Sequence, residues 1–122
     1  MMDYFDLNLT MDIFPIKDNV QWVEFKGNID KVGLQSIKEK LEMLVDEFEG
    51  AALVFNFEKM NFINSEGIGF LLVLHSRLVK RGKKLLIYKA NNHVKDVFEV
   101  IGLSKIMGCY ETEDQILEAI KA

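Results

Sequence analysis

From residue 31 apolar side chains recur at helical spacing. Leu34, Ile37, Leu41, Leu44, Val45 and Phe48 share one face, while Lys38, Glu39, Lys40, Glu42, Asp46 and Glu47 occupy the other. This predicts an amphipathic helix lying on a sheet, with Gly50 as its stop. Residues 51–57, Ala-Ala-Leu-Val-Phe-Asn-Phe, read as a short strand that is apolar on both faces and therefore buried. Residues 65–81 predict a second helix, expected to be the most buried, with Phe70, Leu71, Leu72, Val73, Leu74, Leu78 and Val79; Gly82 ends it. A strand follows at residues 84–88. Asn91 or Asn92 then caps a third helix that carries Val94, Val97, Phe98 and Ile101 inward, and Gly102 closes it. A last strand is expected at residues 106–110. After it, Thr112-Glu113-Asp114-Gln115 has capping-box spacing ahead of a helix with Ile116, Leu117 and Ile120 inward.

Upstream, residues 7–16 are rich in apolar side chains and residues 20–25 set Val20, Trp22 and Phe25 among polar neighbours. Lys17-Asp18-Asn19 between them reads as a turn, so an antiparallel pair opens the fold. Strands alternating with helices then argue for parallel pairing. The expectation is one α/β domain over residues 1–122, with a mixed, mostly parallel sheet of about five strands and about four helices. A flavodoxin-like doubly wound domain competes, but it would begin strand, helix, strand.

The 122 residues, 49% apolar and 28% charged, suffice for one domain with its own core. Cys109 is the single cysteine, so no intrachain disulfide forms and a reducing compartment is expected. The net charge of −4 is spread along the chain without the basic footprint of direct nucleic-acid binding. The run Lys80-Arg81-Gly82-Lys83-Lys84 reads as a solvated turn with cations near a helix C-terminus. Met1-Met2-Asp3-Tyr4-Phe5-Asp6 carries acids and lacks a secretory signal, and the apolar run at residues 68–74 is too short to span a bilayer. A cytoplasmic protein without membrane attachment is expected.

Candidate chemistry concentrates at Phe62-Ile63-Asn64-Ser65-Glu66-Gly67-Ile68-Gly69, where a segment after a strand enters the second helix. A helix N-terminus presents unpaired N–H groups and tolerates an anion, and Gly67 and Gly69 let a partner or a neighbouring backbone approach. The competing reading is structural: Asn64 or Ser65 is an N-cap and nothing more. An enzyme has little to work with. His75 and His93 are the two histidines, and nothing in the sequence orients either toward Ser65. Ile63 stands where a hydrolase elbow needs glycine, and Leu72 where a dinucleotide fingerprint needs its third. Cys109 reads as a packed residue, and Met1, Met2, Met11, Met43, Met60 and Met107 as core filler or termini. No catalytic residue, metal ligand or cofactor is assigned.

The same stretch resembles the signature turn of the STAS domain, found in bacterial anti-sigma factor antagonists, where an aspartate, a phosphorylatable serine and two glycines open the second helix. Gly27-Asn28-Ile29-Asp30 is similar to the family's Gly-x-hydrophobic-Asp element, and residues 82–106, with Val94, Val97, Phe98, Gly102 and Leu103, to its strand, helix and Gly-Leu ending. The resemblance implies that Ser65 is the phosphoacceptor and that Asp30, Asn64, Ser65, Glu66, Gly67 and Gly69 meet a partner. It implies a non-enzymatic protein that binds an anti-sigma factor with serine-kinase activity and is released by phosphorylation, a phosphatase restoring binding and sigma-factor-dependent transcription responding. Asn64 replaces the family's usual aspartate, and Glu66 a small hydroxylic residue. Those two departures leave room for an unphosphorylated STAS scaffold or sensor-complex subunit, and a third reading is small-ligand or nucleotide binding at the turn. The sequence leaves the oligomeric state open.

Overall fold

The structure is a computed structural model that describes residues 4–5 and 8–122, with side chains from residue 8 onward. The readings that fell on Met1, Met2, Asp3, Asp6 and Leu7 lie outside the described residues. A six-stranded sheet runs in chain order. β1 (Tyr4–Phe5), β2 (Leu9–Ile13) and β3 (Val20–Ile29) are successively antiparallel; β3, β4 (Ala52–Ile63), β5 (Lys84–Tyr88) and β6 (Cys109–Tyr110) are parallel. α1 (Lys31–Glu47), α2 (Ser65–Lys80) and α3 (Asn92–Val100) connect successive parallel strands, and α4 (Glu113–Lys121) follows β6. This is the expected mixed α/β architecture with its opening hairpin, and the doubly wound order is absent. Tyr4–Phe5 adds one short strand at the edge.

Strand alternation divides the apolar residues between two faces. Val23 and Phe25 of β3 and Leu53, Phe55 and Phe57 of β4 point to α1, α2 and α3 and form the main core with Ile37, Leu41, Leu74 and Phe98. Phe25 meets Phe55 and Phe57 edge-on at 5.0 and 5.4 Å, contacts that add about 0.5–1.5 kcal/mol each beyond burial. On the other face Val54, Leu86 and Ile116 form a smaller cluster beneath α4.

β3 and β4 run further than their apolar pattern suggests. Their pairing continues to Ile29 and Ile63 through two register shifts, at Glu24/Lys26 and Gly27/Asn28, which break the alternation. Gly27 has φ +113°, and a Cβ there would lie 2.0 Å from the Asn8 carbonyl oxygen, so only glycine fits. The last strand is shorter than expected: Gly102, in a left-handed conformation, starts a 3-10 turn at Leu103–Lys105, and the Ile106 and Met107 N–H groups bond back to the Leu103 carbonyl at 2.9 Å, so only Cys109–Tyr110 are extended. That turn buries Leu103 and Met107 and leaves Ile106 exposed. Ile101 and Leu117, expected inward, are also exposed, Ile101 as the C-cap residue beyond α3 and Leu117 on the side of α4 that lines a surface groove, while Val94 with Phe98 and Ile116 are the buried residues of these helices. Val73 and Val79 likewise face out of α2, and Met43 out of α1.

The basic run 80–84 is not simply a solvated turn. The Arg81 guanidinium donates to the Val45 and Phe48 carbonyls at 2.7 and 2.8 Å, satisfying the end of α1, which has no basic residue of its own there. Lys83 donates to the Gly50 carbonyl and lies over the Phe48 ring at 5.3 Å. Lys84 donates to the carbonyls of Ala119 and Ala122, both at 2.7 Å, and so holds the C-terminal end of α4. Lys84→Met keeps the aliphatic stem and removes these bonds. It should cost about 1–2 kcal/mol in urea denaturation, with amide exchange accelerating in α4 more than in α1 or α2.

Candidate functional site

The parallel register sets Ile29 of β3 beside Ile63 of β4, so the next residues, Asp30 and Asn64, leave the sheet side by side. Each caps a helix. Asp30 Oδ1 accepts from the Gly33 N–H at 2.8 Å, and Asn64 Oδ1 from the Gly67 N–H at 2.7 Å. The Asn64 N–H donates to the Ile29 carbonyl at 3.0 Å, which ties the two helix starts together. Asn91 repeats the arrangement at α3: its Oδ1 accepts from the Val94 N–H, and its Nδ2 donates to the Met60 carbonyl, both at 2.8 Å. Three helix N-termini therefore share one edge of the sheet.

Asn64 takes the capping role, so Ser65 does not. Ser65 is the first residue of α2, exposed, and among the described residues its hydroxyl has no hydrogen-bond partner. The Gly67 N–H is held by the cap and the Ile68 N–H by the Asn64 carbonyl, while the N–H groups of Ser65 and Glu66 precede any intrahelical acceptor. A hydroxyl beside unpaired donors at the positive end of a helix is well placed to carry an added phosphate.

The two glycines differ. Gly67 is buried, and a Cβ there would meet Ile63 at 2.8 Å and Ile29 at 2.9 Å, so its bareness serves the close approach of α2 to the strands. Gly69 is exposed with nothing within 4 Å of a Cβ and leaves the outer face of the helix flat. Glu66 is exposed and borders a groove of about 400 Å³ between α1 and α2, with Leu34, Lys38, Phe70, Val73 and Arg77. Across the turn, Phe62, 40% exposed, stacks on His93 with ring centres 6.2 Å apart. The sequence placed His93 near a helix start, but only the fold brings it against the strand that leads into Ser65.

His75 lies about 15 Å along α2 from Ser65 at 1.5 Å per residue, out of reach as a base. Its pKa is lowered by desolvation, and its buried Nδ1 has no hydrogen-bond partner among the described residues. Burial pushes the Cys109 thiol up to about 11, which keeps it protonated and unreactive at neutral pH. Among the described residues no three of His, Cys, Asp and Glu gather as metal ligands.

The STAS domain family model matches residues 13–116. An anti-sigma-B factor antagonist of Listeria monocytogenes is 26% identical over 90 residues, covering 74% of this chain and 78% of that protein. The fold matches an anti-sigma factor antagonist from Mycobacterium paratuberculosis with TM-score 0.81 and 23% identity, covering 93% of this chain and 95% of the other. It also matches the phosphorylated form of the Bacillus cell fate determinant SpoIIAA with TM-score 0.69 and 18% identity, over 90% and 98% of the two chains.

The contrast between the glycines is testable by chemical denaturation. Gly67→Ala should lose about 1–2 kcal/mol through overpacking against Ile29 and Ile63, whereas Gly69→Ala should gain about 0.5–1 kcal/mol from helix propensity. His75 supplies a pH dependence. Its folded pKa lies below the unfolded value of about 6.5, so the unfolded chain binds the proton more readily and stability falls as pH drops from about 6.5 through the folded pKa. In His75→Gln the loss of stability between pH 7.5 and pH 5.5 should be smaller.

Proposed function

The chain belongs to the STAS domain family, and from that premise we propose that it is an anti-sigma factor antagonist whose Ser65 turn docks on an anti-sigma factor with serine-kinase activity. The observation that carries this reading is the exposed Ser65 hydroxyl at the first position of α2, left free because Asn64 makes the cap. Asp30, held beside it by the sheet register, and Glu66, the exposed face of Gly69 and Asn64 complete the docking surface, with Gly67 setting its position from within. On this reading the protein is a kinase substrate and not an enzyme. It works in the cytoplasm as one domain, and no helix among the described residues is long and apolar enough to cross a membrane.

Phosphorylation of Ser65 adds about −1.5 to −2 charges where the partner must desolvate the surface. The added dianion must be desolvated against any apolar part of the partner face, it overloads with negative charge a surface that already carries Asp30 and Glu66, and its bulk blocks close approach. The helix N-terminus accommodates the anion, so the fold persists and a phosphatase resets the switch. Release of the anti-sigma factor then changes sigma-dependent transcription. A second reading, a STAS scaffold or sensor-complex subunit that is never phosphorylated, is favoured by Glu66, which supplies a fixed negative charge beside Ser65.

Incubation with the host's candidate anti-sigma kinases and ATP, followed by phosphopeptide mass analysis, separates the two. The switch predicts one phosphate on Ser65, none in Ser65→Ala, and at least about tenfold weaker partner binding by Ser65→Asp, or about 1.4 kcal/mol. Absence of phosphate on Ser65 with every kinase, together with undiminished binding by Ser65→Asp, would leave the scaffold.

A further inference from the structure

The sheet face opposite α1 and α2 carries a groove of about 730 Å³ in which the Ser65 turn takes no part. Its walls meet at Trp22 and Tyr88, packed edge to face with ring centres 5.1 Å apart, and Ile116 and Ile120 of α4 close one side. Across the strands Glu24, Asn56 and Tyr88 stand in register, so a carboxylate, an amide and an aromatic ring lie in one row. Asp18, Glu58 and Glu113 add three further acids to the lining, against the single cation Lys17. The volume falls within the range of small-molecule sites.

Two ammonium groups of the chain itself display the chemistry of this surface. Lys89 Nζ lies 5.3 Å from the Tyr88 ring centre and 3.6 Å from the Glu58 carboxylate, and Lys59 Nζ lies 3.6 Å from Glu24. These are surface pairs, with lysine side chains 37% and 55% exposed, of the kind that contribute little and exchange readily. We propose that the groove binds an organic cation with an apolar body, the body against Trp22 and Tyr88 and the charged head between Glu24 and Glu58. Ring faces and carboxylates both favour a cation, the four lining acids still outnumber Lys17 and the pairing Lys59 and Lys89 and so disfavour an anion, and a neutral molecule gains the apolar wall alone.

Trp22 is the single tryptophan, so its fluorescence reports the groove directly. The intact chain is titrated with benzyltrimethylammonium, and with benzyl alcohol as the uncharged control. The expected result is a saturable change with the cation, affinity about five- to tenfold weaker for benzyl alcohol and for the double variant Glu24→Gln, Glu58→Gln, and weakening as salt rises. The salt dependence is read on the unaltered protein and stands even if the double variant misfolds. The proposal is overturned by the absence of saturation at millimolar cation, by equal affinity for benzyl alcohol, or by affinity insensitive to salt and to loss of the two carboxylates.

Discussion

The parallel ladder between β3 and β4 aligns Ile29 with Ile63, and the candidate site depends on that alignment. Because the two strands end together, Asp30 and Asn64 reach their caps at the same level, and one backbone bond from the Asn64 N–H to the Ile29 carbonyl locks the helix starts to each other. Gly67 lets α2 settle against both isoleucines, and Gly33 does the same for α1 beside the Asn28 carbonyl, where a Cβ would stand 2.7 Å away. A shift of one residue in this register would turn every side chain of one strand to the wrong face and separate the two caps. The aromatic cluster of Phe25, Phe55 and Phe57 opposes such a slip, because its rings belong to the same two strands and interlock in the main core.

The ladder also divides the molecule chemically. One face of the sheet is sealed by α1, α2 and α3 and holds most of the buried apolar side chains. The other is covered by α4 over a smaller area, and the remainder stays open as the Trp22 and Tyr88 groove. The edge where β3, β4 and β5 end carries three capped helix N-termini and the exposed Ser65, so the proposed docking surface and the proposed cation groove occupy separate regions of one rigid sheet. The helix N-termini make the edge tolerant of negative charge, and the acids around the groove make it favour positive charge.

Much of the fold was legible because its determinants are local. The 3.6-residue period of Leu34, Ile37, Leu41 and Val45 marked α1, and Asn, Ser and Thr ahead of apolar runs marked the helix starts near Asn64, Asn91 and Thr112, while the capping role of Asp30 emerged only in the fold. Legibility failed where the pattern was interrupted. The register shifts each insert an extra residue in β4 and disguised its second half, and beyond the left-handed Gly102 and its 3-10 turn the chain is still turning at Ile106 and Met107, where the last strand was expected to begin. Ile101 and Leu117 carried the right residue type, but Ile101 is the C-cap residue beyond α3 and Leu117 sits beside the buried Ile116 on the side of α4 that lines the open groove.

Element order, fold class and the resemblance of the turn at Ser65 to a known signature were readable from the chain alone, because period, capping chemistry and motif spacing are properties of neighbouring residues. Tertiary structure decided which of Asn64 and Ser65 is the cap and which keeps a free hydroxyl, since that choice follows from the bond between Asn64 and Ile29 on the adjacent strand. It also decided that Arg81 and Lys84 hold the ends of α1 and α4, and that Trp22, Glu24 and Tyr88 line one groove. These contacts join residues more than thirty positions apart, and only pairing across the sheet brings them together.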